Sequence, residues 1–115
     1  MARVTHTAQA GTGKYPTTLT ALTFTAADAV NFEQTLHTGR ELIVVRNSHG
    51  STAYDFTLTS VASNATGRTG TEVVELAAGA IHVVGPLGID GWRQSDGMLY
   101  FAGENAAILF AVVRI

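Results

Sequence analysis

Hydrophobic and polar residues alternate along several segments of the chain, which predicts β-strands. In YDFTLTSV, residues 54–61, Phe56 and Leu58 fall on one face and polar residues on the other. The preceding segment ELIVVR, residues 41–46, is apolar on both faces in its middle, which is typical of a strand between two layers. A cluster of turn-forming residues, 47–51, separates the two segments. We therefore predict that they form a hairpin.

Other parts of the chain repeat this pattern less regularly. TTLTALTFT, residues 17–25, places Leu22 and Phe24 on one face. Residues 26–36 fit either a short helix or a loop followed by a short strand. The C-terminal strand is apolar on both faces, so we expect it to be central or covered by another subunit. Further strands are predicted at residues 71–76, 80–87, 98–102 and 106–115.

Turn signals recur about every eight to twelve residues, a spacing typical of all-β domains. Frequent threonine and valine favour the same structure, because β-branched side chains pack well on a pleated sheet. The predicted fold is all-β: a single β-sandwich or jelly-roll-like barrel of about seven to nine short antiparallel strands. Residues 1–16 are predicted as an N-terminal arm or edge segment, and residues 17–115 as a single β-sandwich domain.

Composition narrows the functional classes. The net charge is −2, and no basic run stands out, so no nucleic-acid partner is expected. No apolar stretch approaches the length of a membrane span, and the N-terminal residues contain no signal-peptide core, so neither a membrane partner nor secretion is expected. The chain has no cysteine, which excludes disulfides and thiolate metal sites.

Motifs for catalysis or cofactor binding are incomplete. AGTGK, residues 10–14, resembles the end of a phosphate-binding loop, but an alanine stands where the first glycine is needed and Pro16 follows closely. Among the four histidines, His6 and His82 could meet across a sheet, although we expect the histidines to be solvated or hydrogen-bonded surface residues. No nucleophile is marked by its neighbours. We therefore expect no enzymatic activity, no cofactor and no metal.

The segment GPLGIDGWRQSDGMLYF, residues 85–101, combines two Asp-Gly pairs with the single tryptophan. Asp90 and Asp96 lack the alternating oxygen ligands and the closing glutamate of a calcium loop. Trp92 would serve a sugar site if its ring lay exposed in a groove, but a structural tryptophan is more common. The segment is better explained as a connection, a short strand bearing Trp92, and a tight two-residue hairpin turn at Asp96 and Gly97.

The order of short motifs along the chain is a further feature. The motifs are TGRELIVVRN at 38–47, GRTG at 67–70, VVELAAG at 73–79, VVGPLGIDGW at 83–92, QSDGMLYF at 94–101 and ILFAVVRI at 108–115. This succession resembles the small all-β head decoration, or cement, proteins of tailed bacteriophages and prophages. The resemblance covers roughly residues 25–115, and none of its motifs is catalytic.

The resemblance implies a virion structural protein, made in the host cytoplasm, that binds the outer surface of the assembled capsid and stabilises it. The expected partners are the major capsid protein and further copies of the chain, commonly as a homotrimer. Candidate interface residues are Lys14, Tyr15, Trp92 and Ile115. A tail or head-tail connector protein and a carbohydrate-binding β-sandwich module that contacts surface glycans remain alternatives.

Overall fold

The computed structural model describes residues 3–10, 22–61 and 71–114. These residues form ten β-strands and contain no helix. The strands are β1 (Val4–His6), β2 (Gln9–Ala10), β3 (Thr25–Ala26), β4 (Glu33–Leu36), β5 (Glu41–Asn47), β6 (Tyr54–Thr59), β7 (Thr71–Leu76), β8 (Ile81–Val84), β9 (Met98–Gly103) and β10 (Ile108–Arg114). The all-β prediction is confirmed.

The strands lie in two sheets. Sheet A has the order β1-β4-β9-β6-β7, and sheet B has the order β2-β10-β5-β8, with the short β3 also paired to β10. Most neighbours are antiparallel, but β1 pairs with β4 in parallel and β2 pairs with β10 in parallel. The arrangement is consistent with the predicted β-sandwich, and the two parallel pairs are a feature that the turn spacing does not reveal.

The core lies between the sheets, where the inward positions of the alternating strands meet. Phe56, Phe101 and Phe110 are fully buried, and the rings of Phe101 and Phe110 meet edge to face with centroids 4.8 Å apart. In β10 the residues Ile108, Phe110 and Val112 point inward, which identifies the buried one of its two apolar faces. β10 lies between β5 on one side and β2 and β3 on the other, so the first of the two predicted alternatives, a central C-terminal strand, is confirmed.

The predicted hairpin between residues 41–46 and 54–61 is wrong. β5 belongs to sheet B and β6 to sheet A, so the intervening turn crosses from one sheet to the other. The two strands bury Val45 and Phe56 in one core instead of sharing a hydrogen-bond ladder. Asn47 closes this crossing, because its buried side-chain amide donates to the carbonyl oxygens of Thr52 at 2.9 Å and Leu76 at 3.0 Å. The hairpin partner of β6 is β7.

The N-terminal segment is incorporated into both sheets as far as it is described. β1 lies at an edge of sheet A and β2 at an edge of sheet B. Residues 11–16, and with them the predicted boundary at residue 16, lie outside the described residues, as does most of the strand predicted at 17–25. In its described part, Leu22 is exposed and only residues 25–26 pair as a strand. Residues 26–36 form a loop followed by β4, the second of the two predicted alternatives.

Candidate functional site

The glycine-rich segment 85–101 serves mainly as a connection between the two sheets. β8 ends at Val84, directly before Gly85 and Pro86, so it is shorter than the strand predicted at residues 80–87. The turn before β9 differs from the prediction: Gly97 N–H donates to Gln94 O at 2.9 Å, and Gln94 N–H donates to Met98 O at 2.8 Å. Of the Asp96 and Gly97 pair, only Gly97 has a positive φ, of 84°. The connection is therefore a three-residue hairpin loop with glycine in the left-handed position, not a two-residue turn.

The aspartates of this segment do not form a cation site with other acidic residues. The Asp96 carboxylate accepts hydrogen bonds from Met98 N–H at 3.0 Å and from the Tyr100 hydroxyl at 2.6 Å. The Tyr100 hydrogen bond holds the pKa of Asp96 below its usual range. Within residues 3–10, 22–61 and 71–114, no group of three or more potential ligands is placed to hold a metal ion. Asp96 thus supports the turn.

Trp92 lies in a turn, not in a short strand as the sequence suggests. The backbone N–H of Trp92 donates to Ile89 O at 3.3 Å, and the following residue, Arg93, forms an isolated β-bridge with Leu99. The indole is half-buried and packs against the hydrophobic core. A sugar platform needs an exposed ring, so this position supports a structural role for Trp92.

The histidines are dispersed, and two of them are more buried than the sequence analysis expects. His6 packs against both Phe101 and Phe110, with ring centroids 5.4 and 5.9 Å away, and burial lowers its pKa. His37 is 1% exposed, and its Nε2 lies 2.8 Å from the Leu87 carbonyl oxygen. His6 in β1 and His82 in β8 belong to different sheets, so they do not form the pair that the sequence allows.

The loop between β3 and β4 contains a turn with several internal hydrogen bonds. The Asp28 carboxylate accepts the N–H groups of Val30 and Asn31, each at 3.0 Å, and the Asn31 side-chain amide at 2.9 Å. These hydrogen bonds, first of all that of the Asn31 N–H, hold the pKa of Asp28 below its usual range. The turn closes where Phe32 N–H donates to Asp28 O at 2.9 Å. We call residues 28–32 the Asp28 turn.

The Asp28 turn is attached to both sheets. Immediately before it, Ala27 N–H donates to Ile108 O of β10 at 2.8 Å. At its end, Phe32 O accepts the N–H of Val4 in β1 at 2.9 Å. The buried Glu33 carboxyl also accepts the Asp28 N–H at 2.5 Å. These hydrogen bonds to β1, β10 and the Glu33 carboxyl group therefore fix the backbone of this turn.

The tip of the Asp28 turn is apolar and exposed. Val30 is 66% exposed and Phe32 is 42% exposed. Phe32 has φ +66°, and it is the single non-glycine residue with a positive φ within the described ranges. The Arg3 guanidinium lies 5.5 Å from the centre of the Phe32 ring and 4.1 Å from that of Tyr100. We take Val30 and Phe32 as the candidate contact site.

Val30 and Phe32 are not among the interface residues predicted from the sequence. The available signal was the Asp28 and Asn31 pair, because an aspartate that begins a turn often accepts amides two and three residues later. The burial of Glu33 and the left-handed Phe32 depend on tertiary contacts that the local pattern does not encode. Of the predicted interface residues, Lys14, Tyr15 and Ile115 lie outside the described residues, and Trp92 lies against the core.

Comparisons with protein-family models, with curated protein sequences and with solved structures find no match for this chain. Within the described ranges, no helix has the length and hydropathy to span a membrane.

Proposed function

We propose that the protein is a non-enzymatic decoration, or cement, protein that binds the outer surface of an assembled phage or prophage head and stabilises it. The proposal rests on the resemblance of the motif order and on one structural observation. That observation is the exposed, left-handed Phe32 at the tip of a turn that both sheets hold in place.

The conformation of Phe32 is energetically unfavourable for the isolated protein. A left-handed conformation costs a non-glycine residue about 1–2 kcal/mol, and such strain is found mostly at functional sites. Phe32 is also 42% exposed, although the Arg3 guanidinium lies over its ring, and the exposed part gains nothing from burial. A partner that covers Phe32 and Val30 recovers this apolar area. Because the Asp28 turn is already ordered, little conformational entropy is lost on binding.

A modest contact of this kind suits a protein that acts in many copies. Each exposed tip covers a small area, but contacts repeated over a shell, or linked within an oligomer, add to a large total. In the proposed complex, Phe32 and Val30 contact the major capsid protein. Clamping neighbouring capsid subunits would stabilise the shell. The homotrimer stays a prediction, and the mass of the purified protein distinguishes it from the higher-order ring expected of a tail or connector protein.

A binding experiment with capsids that lack the protein tests the proposal. We expect the wild-type protein to bind at stoichiometric occupancy of the lattice and Phe32→Asn to bind at least about tenfold more weakly, since an exposed aromatic anchor is removed. Asparagine tolerates the left-handed conformation, so we expect the free energy of unfolding to change by less than about 1 kcal/mol.

Ile89→Asn is the matched control, because Ile89 is 47% exposed, close to the value for Phe32, and lies in another loop. We expect this variant to bind capsids as the wild-type protein does. Equal binding by wild type and Phe32→Asn would remove the Asp28 turn as the contact site. Failure of the wild-type protein to bind any capsid lattice would reject the decoration function itself.

A further inference from the structure

The two sheet edges formed by β7 and β8 differ in how they are protected from pairing. These strands follow each other in the chain, joined by residues 77–80. β7 exposes Glu72 and Glu75, and charged side chains on an edge strand oppose pairing with another chain. β8 carries no Asp, Glu, Lys or Arg, yet Ile81 is 59% exposed and Val83 is 62% exposed. β8 thus combines high β-propensity with an unprotected edge.

Backbone groups of β8 are available for a second ladder. β8 pairs with β5 along one edge, where Asn47 N–H donates to Ala80 O at 3.0 Å. Because hydrogen-bonded residues alternate along an antiparallel ladder, the next residue of β8 bonded to β5 is His82. The N–H and C=O groups of Ile81 and Val83 consequently point away from β5. No other described strand pairs with this edge.

We propose that β8 is a self-association strand, which pairs antiparallel with β8 of a second copy around a two-fold axis at His82. In this register Ile81 lies opposite Val83 of the second copy, and Val83 lies opposite its Ile81. In an antiparallel pair, two opposite residues whose N–H and C=O groups point towards the other strand exchange two hydrogen bonds. Every outward N–H and C=O of Ile81 and Val83 in both copies then has a partner.

The side chains favour the same register. Opposed Ile and Val side chains are β-branched cross-strand pairs, which stabilise antiparallel sheets. A shift by two residues would place Ile81 opposite Gly85, at the point where the chain leaves the sheet before Pro86. A second copy supplies the uncharged, β-branched strand that this edge requires. In the paired form, sheet B continues from one copy into the next.

Association through β8 does not depend on the proposed capsid function. It doubles the mass of a single chain to that of a dimer, and it doubles a trimer to a hexamer where the two-fold axes at β8 lie perpendicular to the three-fold axis. The two ideas therefore fail separately: capsid binding tests Phe32, and the mass of the protein in solution tests β8.

In the proposed pair His82 lies on the two-fold axis, so its side chain lies opposite the His82 side chain of the second copy. His82 is exposed in the single chain, so His82→Glu and His82→Lys leave the fold intact. Each variant places like charges directly opposite each other in the paired form. Sedimentation velocity over a concentration series should show the doubled species for wild type, with its dissociation constant raised about threefold or more in each variant.

Mixing the two variants restores an opposite-charge pair at the axis, so we expect the doubled species to return in the mixture. Val73→Glu is the matched control, because Val73 is 53% exposed on the neighbouring edge strand β7. This control should associate as wild type does. A wild-type protein that never doubles in mass, variants that associate like wild type, or a mixture that stays at the lower mass would each overturn the proposal.

Discussion

Glu33 and Glu41 occupy equivalent places at the starts of two strands, one in each sheet. Each is the first residue of its strand, β4 or β5, points into the protein and is at most 2% exposed. Each carboxyl group also accepts the N–H of a residue in the preceding turn, from Asp28 at 2.5 Å and from Thr38 at 2.6 Å. In both turns, therefore, a buried glutamate carboxyl group accepts a backbone N–H and closes the turn.

The two carboxyl groups differ in their remaining partners. Burial alone raises the pKa of Glu41, but hydrogen bonds from the Thr38 hydroxyl at 2.6 Å and Arg114 Nε at 2.8 Å outweigh it and lower the pKa to about 2. Burial dominates at Glu33 and raises its pKa, and the nearby Asp28 charge adds to the effect. Within the described part of the chain, Glu33 Oε2 has no hydrogen-bond partner. Partners, not burial, thus decide whether a carboxylate is stabilised.

The largest expected effect comes from Glu41→Gln. The substitution removes the charge that Thr38 and Arg114 stabilise and sets an amide N–H against donors. A pKa lowered from 4.5 to about 2 corresponds to about 3 kcal/mol, so we expect a loss of that order in the free energy of unfolding at pH 7. Urea denaturation measures it. Glu72→Gln on the exposed face of β7 is the control, and an equal loss there would contradict the assignment.

The effect of Glu41→Gln should also depend on pH. Because folding lowers the Glu41 pKa, its stabilisation is complete above the unfolded value of 4.5 and is lost as the pH falls towards 2. The stability curves of wild type and variant should therefore converge between these pH values. Denaturation series at several pH values provide the measurement. A gap that stays constant down to pH 2 would mean that Glu41 acts through packing rather than charge.

The smallest expected effect comes from Glu33→Gln. Folding raises the Glu33 pKa, so its contribution favours the folded state at low pH and is lost as the pH rises through the folded pKa. A neutral glutamine keeps an acceptor for the Asp28 N–H without the cost of burying charge. We expect a change of less than about 1 kcal/mol at pH 7, measured in the same urea titrations. A loss as large as that of Glu41→Gln would remove the contrast between the two sites.

The sequence predicts those elements whose signal is local. Alternation identifies β6, with Phe56 and Leu58 inward, and apolar residues on both faces mark β10 as central. Gly97 indicates a turn from the local sequence alone, because glycine readily adopts the positive φ that reverses the chain there. The loop length at that turn escaped prediction, since two-residue and three-residue turns both favour an Asp-Gly pair.

Sheet membership is not a local property. Residues 41–61 have the pattern of a hairpin, in which two neighbouring strands bury the same face of one sheet. The pattern fits two strands in opposite sheets equally well, because each strand then still buries one face in the core. The burial of Glu33 and Glu41 is also not predicted from the sequence, and Arg114, one partner of the Glu41 carboxylate, lies 73 residues away in the chain. The candidate contact site at Val30 and Phe32 is not predicted either, since the backbone on both sides of it is held by hydrogen bonds to β1 and β10.

The parallel pairing of β2 with β10 constrains the order in which the domain can form. Gln9 lies beside Val113 and Ala10 beside Arg114, residues from opposite ends of the described chain. Closing so long a loop is entropically unfavourable until the strands between them have assembled. We therefore expect β2 to dock late, after β10 has joined β5, and its pairing to be released without opening the aromatic core.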